Sequence, residues 1–340
     1  MESAMNTIAE PATPVQAATN PDGLLSLRIR QIRYEAQGIN SYELSCPQGG
    51  ELPAFEAGAH IDVHIQPGLI RQYSLCNPPH ERHRYVIAVL RDANGRGGSR
   101  TLHDALQVQQ QVTVSTPRNH FRLDPNARRS ILLAGGIGIT PIKAMAHFLE
   151  SQGQPFELHY CTRSHDTAAF GSELLTWQEQ GRLHLHLDNG NPAQGLNLQD
   201  LLANAAEGTH VYYCGPAGFM QTCAQASSHW PVGSVHCEHF KAPEPAPNAN
   251  TLPPGAFVAQ IASTGQCIEV APEQSLSDAL TQAGVPIATS CVSGLCGTCR
   301  VNYLQGEVDH QDYILSPDEQ SHCLTACVSR ARSGVLVLDL

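Results

Sequence analysis

Apolar and polar positions alternate through six short runs in the first third of the chain: Leu25–Glu35, Ser41–Ser45, Ala59–Ile65, Ile70–Leu75, Tyr85–Arg91 and Gln111–Ser115. Gly, Pro and Asn break these runs, a pattern that predicts antiparallel strands closing into a small barrel or sandwich. A short helix, Arg100–Leu106, is expected before the last strand, with Ser99 as its cap. From Ser130 the period changes. The apolar run Ser130–Ala134 leads into a glycine turn and then a helix whose stripe is Ile142, Met145, Phe148 and Leu149, stopped at Gly153. Similar short apolar runs follow at Phe156–Cys161, Leu183–Leu187 and Val211–Cys214. Such alternation of strand and helix predicts a doubly wound parallel sheet, with ligands at the carboxyl ends of its strands.

A third pattern begins after Lys241–Pro254, a proline-rich stretch poor in core residues and therefore a linker. Beyond it, Phe257–Ile261 and Cys267–Val270 form a hairpin pattern around Thr264-Gly265, and Ser275 or Ser277 can cap a helix ending near Gly284. Val301–Leu304 and Leu336–Leu340 complete a small mixed sheet. The domains expected are thus a lead-in over 1–22, a barrel over 23–125, an α/β domain over 126–240, the linker over 241–254 and a third domain over 255–340.

The candidate chemistry is concentrated in this third domain. Cys291, Cys296 and Cys299 are spaced four and then two residues apart in a loop rich in Gly and Ser, the pattern of a plant-type [2Fe–2S] cluster. Zinc is the competing occupant of such a trio, but its structural sites favour paired hooks two residues apart. Cys323 and Cys327 both offer a fourth sulfur, and spacing leaves the choice between them open.

A cluster moves single electrons, so the upstream domains must supply their source. Arg71-Gln72-Tyr73-Ser74 puts a cation, an aromatic plate and a hydroxyl at the end of a strand, and Gly97-Gly98-Ser99 offers free N–H groups to a phosphate. Together they predict a flavin site. Gly135-Gly136-Ile137-Gly138 departs from the dinucleotide fingerprint, because Pro141 stands where the third glycine belongs. Cys214-Gly215-Pro216 ends another strand at the edge where a nicotinamide would lie.

Two histidine-rich strings invite a metal reading. His60, Asp62 and His64 share one face of a strand by the period of two, and the alternating Ile61, Val63 and Ile65 suggest that this polar face is solvated. In His236-Cys237-Glu238-His239 the side chains diverge pairwise on a strand, so four ligands do not converge.

Composition then narrows the setting. The net charge of −11 without basic runs argues against a nucleic-acid surface, and no apolar run reaches the 18 residues of a membrane span. Twelve cysteines cluster instead of pacing the chain, which favours reduced thiols and a cytoplasmic protein over a disulfide framework.

The chain from Leu24 to Leu340 resembles the phthalate dioxygenase reductases, a family that includes the vanillate O-demethylase reductases. The resemblance is carried by Arg71–Asn77, Arg91–Ser99, Ala134–Pro141, Cys214-Gly-Pro216, the cysteine trio and Cys327-Val-Ser-Arg-Ala331. It implies an antiparallel β-barrel for flavin, a doubly wound α/β nucleotide domain and a C-terminal plant-type ferredoxin of the β-grasp type. It further implies that Arg71, Gln72, Tyr73, Ser74, Ala88, Val89, Leu90, Gly97, Gly98, Ser99, Thr140 and Phe240 border FMN. Gly135, Gly136, Gly138, Thr162, Arg163, Cys214, Gly215 and Pro216 would frame NADH, or NADPH, and Cys327 would be the fourth cluster ligand. Two departures are visible: Leu90 stands where relatives often carry Lys, and Cys237 where they carry Phe. The implied function is electron delivery to a separate Rieske non-haem iron oxygenase acting on an aromatic acid, by a reductase expected to be monomeric. A cluster protein that carries or senses electrons without nicotinamide turnover, and a reductase of a diiron monooxygenase, are the alternatives.

Overall fold

The computed structural model describes residues 20, 23–93, 97–240, 256–332 and 335–340. Nearly all of the expected lead-in, the whole linker and Asn94–Arg96 of the glycine turn lie outside the described residues.

β1 (Leu25–Ala36), β2 (Ile39–Ser45), β3 (His60–Gln66), β4 (Leu69–Ser74), β5 (Tyr85–Leu90) and β6 (Gln111–Val114) form one antiparallel sheet in the order β4-β3-β6-β1-β2-β5. A single bridge, Leu75 to Ile87, joins its two edges and closes the barrel. Alternation along β1 and β3 drives Leu25, Leu27, Ile29, Ile61 and Val63 inward, where they pack with Tyr42, Leu44 and Val114. The helix α1 (Gly98–Ala105) starts earlier than its sequence pattern suggests. Its cap is Gly97, in the left-handed region at φ 87°, and not Ser99. The Ser99 hydroxyl instead accepts a hydrogen bond from the Asp92 N–H at 3.1 Å, closing the turn back on the end of β5.

The second unit is a five-stranded parallel sheet built from β7 (Arg129–Gly135), β8 (Phe156–Thr162), β9 (Leu183–Leu187), β10 (Thr209–Cys214) and β11 (Val235–Glu238), in the order β11-β10-β7-β8-β9. Helices α2 (Ile139–Ser151) and α3 (Gly171–Glu179) cover one face, while α4 (Leu198–Leu201) and α5 (Ala217–Ala226) cover the other. The apolar runs are continuous because both faces are buried. The strand order reverses between β7 and β10, which puts the switch point at the two glycine turns.

Barrel and sheet are not separate cores. Ala36, Ile39, Ala57, Cys76, Ala88 and Phe121 on the barrel wall belong to the same apolar cluster as Ile142, Met145, Phe170 and Trp177. The two units therefore present one continuous buried seam.

The third unit comprises β12 (Phe257–Ile261), β13 (Cys267–Val270), α6 (Leu276–Gln282), β14 (Arg300–Gln305), β15 (Val308–Asp309), α7 (Pro317–Gln320), β16 (Cys323–Thr325), β17 (Arg330–Ala331) and β18 (Val335–Leu338). Its mixed sheet runs β13-β12-β18-β14-β16, with β12 and β18 parallel. Of the two candidate caps for α6, Ser275 takes the role, accepting from the Asp278 N–H at 3.1 Å. Its core draws only on residues from Phe257 onward. Among the described residues, no helix is long and apolar enough to cross a membrane.

Candidate functional site

Three local constructions carry the chemistry, and each brings together residues far apart in sequence. The first lies at the end of β4. Arg71 lies over the start of α1, so closely that a Cβ on Gly98 would stand 2.6 Å from the Arg71 Cγ and 2.7 Å from its Nε. Only glycine lets the guanidinium and the free N–H groups of the first turn occupy one concavity, and that concavity has the donor set of a phosphate cradle. Arg71 also donates from Nη1 to the Ile70 carbonyl at 2.7 Å, which folds its guanidinium back toward the strand. Tyr73 is largely enclosed, and burial pushes its phenol well above the ordinary range. It is therefore a neutral ring. Ser74 is buried and pairs in register with His60 of β3.

The ring-edge residues divide by strand alternation. Ala88 lies in the seam between barrel and sheet, Leu90 is 41% exposed, and the Val89 side chain is in the barrel core. Val89 can offer only main chain, and its carbonyl already meets the His103 Nε2 at 2.8 Å. Thr140, at the start of α2, is buried and donates from its hydroxyl to the Ile137 carbonyl at 3.1 Å.

The second construction is the switch point. A Cβ on Gly138 would stand 2.1 Å from the Cys214 carbonyl oxygen, and one on Gly135 would stand 2.9 Å from both the Pro216 ring and Phe219. Gly215 is equally confined by Phe219 and by Gly135. Gly136 serves differently, turning the chain through φ 51° with no neighbour within 4 Å of a Cβ. The glycines thus allow the ends of β7 and β10 to nest, leaving their main-chain groups at the carboxyl edge. Cys214 is fully buried, which pushes its thiol up and keeps it protonated. Thr162 is buried at the end of β8, its hydroxyl bonded to the Ser164 carbonyl at 2.7 Å, and Arg163 beside it is exposed. A cavity of about 570 Å³ lies at the opposite end of these strands, lined by Arg129, Pro155, Phe156, Arg182 and His184. It is at the amino edge, where a doubly wound sheet does not bind nucleotides.

The third construction is the cysteine loop. Cys296, Cys299 and Cys327 are buried and Cys291 is partly so. The Cys299 and Cys327 sulfurs are 3.1 Å apart, and Cys323 is turned elsewhere, 3.8 Å from the Leu324 carbonyl. Local geometry therefore favours Cys327 as the fourth donor. The Leu295 N–H donates to the Cys291 sulfur at 3.4 Å, and the Thr298 hydroxyl lies 3.3 Å from the Cys296 sulfur. A hydrogen bond from Cys291 pulls the Cys296 thiol down to about 5, and contact with Cys327 likewise lowers Cys299, while their partners are pushed up. Four crowded sulfurs with N–H donors aimed at them fit a thiolate-held cluster. Gly294 and Gly297 adopt φ 70°, and Val292 is held at φ 51°, a conformation a β-branched residue avoids.

Sequence pattern misjudged one strand. His60 and Asp62 are not solvated: both are buried. Asp62 is bound by Arg118 at 2.6 Å and accepts from Gln72 at 3.3 Å, while His60 faces Glu238 at 3.6 Å. The period of two correctly puts them on one face, but that face is covered by the end of β11 and the segment after β6, contacts no local pattern reveals. Phe240, two residues beyond β11, is 39% exposed. Glu238 and His120 also enter the site region without having been singled out for it. No local sequence signal marked them, since Glu238 comes beside Cys214 only through the parallel pairing of β10 and β11.

These features define a modular oxidoreductase, and comparison with known proteins agrees. Residues 132–225 match the family described as an oxidoreductase NAD-binding domain, and residues 259–332 match the 2Fe-2S iron-sulfur cluster binding domain. The chain belongs to the phthalate dioxygenase reductase family. It is 48% identical to the reductase subunit of a tert-butanol monooxygenase / tert-amyl alcohol desaturase from Aquincola tertiaricarbonis, over 94% of this chain and 97% of that one. It is 45% identical to a vanillate O-demethylase oxidoreductase of Pseudomonas sp. (strain HR199 / DSM 7063), over 93% and 100%. The solved structure of a phthalate dioxygenase reductase, described as a modular structure for electron transfer from pyridine nucleotides to [2Fe-2S], superposes with a TM-score of 0.71 at 42% identity, covering 94% of this chain and 98% of that one.

Proposed function

We propose that this protein is the reductase component of a two-component oxygenase system, taking electrons from NADH and delivering them one at a time to a separate Rieske non-haem iron oxygenase. The observation that carries this reading is the assembly of three cofactor-type sites in one chain. Arg71 meets Gly98, Gly138 meets Cys214, and the cysteine loop carries its own buried sulfurs. When bound, FMN supplies the exchange between two-electron nicotinamide chemistry and a one-electron cluster. The residues do the holding. Arg71 and the N–H groups of Gly98 and Ser99 take the phosphate, Tyr73 offers a neutral aromatic face, and Ala88, Thr140 and Phe240 bound the ring. Gly135, Gly136, Gly138, Cys214, Gly215 and Pro216 present the edge on which the nicotinamide lies, with Thr162 and Arg163 further along the nucleotide. Cys291, Cys296, Cys299 and Cys327 hold the [2Fe–2S] cluster.

No acid or base is needed for hydride transfer, and the buried, protonated Cys214 is suited to excluding water rather than moving protons. The donors at Arg71 and the first turn of α1 form a cradle for a phosphate, which supports FMN as the flavin. The cysteines require a reducing compartment, which supports a cytoplasmic protein. Relatives named for tert-butanol and for vanillate support a reading in which the oxygenase, not the reductase, sets the substrate. The protein is tested by reconstitution with FMN, iron and sulfide, followed by NADH-driven reduction of cytochrome c and of a purified Rieske oxygenase. Failure to retain FMN, or a flavin that NADH does not reduce, refutes the reading. Transfer to a diiron oxygenase but not to a Rieske protein would replace the partner and leave the reductase.

A further inference from the structure

The core of the third unit shares no residue with the seam that joins the first two. Something else must hold the cysteine loop against the barrel. His120, in the segment between β6 and β7, meets the main-chain carbonyl of Cys296 with its Nε2 at 3.1 Å. A carbonyl only accepts, so the Nε2 carries the proton and donates. The residue is 176 positions from its partner, and that partner is one of the four cluster-type cysteines.

The mounting of His120 is rigid. Asn119 donates from its amide to the Ala57 carbonyl at 2.9 Å and accepts from the Phe121 N–H at 2.9 Å. Phe121 is buried in the seam between barrel and sheet. Behind the ring, His60 packs at 5.7 Å between centroids, and His60 in turn faces Glu238 at the end of β11. A column of side chains thus runs from the parallel sheet, through barrel strand β3, to the cysteine loop. A second contact between the second and third units is His239 against Tyr313, at 5.5 Å between ring centroids.

We infer that His120 is a positioning residue for electron delivery: its Nε2–H docks the Cys296 carbonyl and thereby fixes the cluster loop against the flavin barrel. The inference rests on the FMN and cluster assignments above and adds the device that holds their domains in register. It does not require His120 to change charge. Removing one neutral, partly solvated hydrogen bond lowers a docking constant about two- to tenfold.

The test uses the full reconstituted chain with His120→Phe, which keeps a ring and removes the donor, and His120→Gln, which restores an N–H near the Nε2 position. Stopped-flow mixing with NADH separates flavin reduction from the later bleaching of the cluster. Hydrogen exchange on the oxidised protein, without NADH, reports protection of the amides from Cys291 to Cys299. For His120→Phe the expected result is an unchanged flavin phase, a cluster phase slowed about threefold or more, and faster exchange in the loop, with His120→Gln recovering most of both. A cluster phase and loop protection equal to wild type in His120→Phe would overturn the inference. So would Gln behaving as Phe, or both kinetic phases slowing together. Absence of NADH-driven flavin reduction in the wild type would instead count against the reductase reading, since the exchange measurement stands without it.

Discussion

Replacing Gly138 by Ala tests the nesting of the two turns at the switch point most directly. The new Cβ would stand 2.1 Å from the Cys214 carbonyl oxygen, 2.4 Å from its carbon and 2.7 Å from the Gly215 nitrogen, all of them main chain. Ordinary contact begins near 3.4 Å, so the ends of the two central strands must separate by more than 1 Å. No rotamer can absorb that. Overpacking of this kind costs about 3 kcal/mol, toward the upper end for a buried site, and in a unit of this size lowers the melting midpoint by about 6–12 °C. The same shift displaces the edge proposed for the nicotinamide, where a misplacement of about 1 Å can slow hydride transfer about a hundredfold. Gly136→Ala is the control. It meets no atom within 4 Å and pays only for its φ of 51°, about 1–2 kcal/mol. Thermal melts followed by single-turnover flavin reduction with NADH measure both effects. If Gly138→Ala melts with the wild type, or if the two variants are equally impaired, the nesting argument is wrong.

Other outcomes follow from the remaining sites. Cys327→Ser is expected to abolish cluster incorporation while Cys323→Ser retains full iron and sulfide, as chemical analysis and the visible spectrum will show; equal retention in both would reassign the fourth ligand. Arg71→Ala is expected to weaken FMN binding about ten- to hundredfold, the contribution of a charge-assisted contact, measured by fluorescence titration of the apoprotein. Burial, with Lys143 nearby, lowers His147 from 6.5 to about 4, so the unfolded chain binds a proton that the folded one refuses. This contribution to stability is complete above pH 6.5 and is lost as the pH falls toward 4; His147→Gln should flatten the dependence of melting temperature on pH in that window. An unchanged slope would place the titration elsewhere.

Much of the architecture was legible because local patterns sufficed. Period-two runs marked the barrel, and unbroken apolar runs marked strands buried on both faces. Ser99 was misassigned as a cap because a serine before a helical pattern looks the same whether its hydroxyl bonds forward to the helix or back to Asp92. Val89 shows a different limit: alternation turns it away from Ala88 but does not say which of the two faces meets the parallel sheet and which the barrel core.

By itself the sequence determined which residue types stand at the cofactor-type sites: the cysteine spacing, the Arg-Gln-Tyr-Ser strand end and the glycines of two turns. These are local constraints, set by ligand spacing and by the main-chain angles only glycine adopts freely. Tertiary structure decided the rest. It brought Arg71 over Gly98 and Gly138 against Cys214, buried His60 and Asp62 on a face that alternation had left to solvent, and set His120 beside a cysteine 176 residues away. Each of these depends on how whole sheets and domains meet, and burial by a distant segment leaves no periodic trace in the strand it covers.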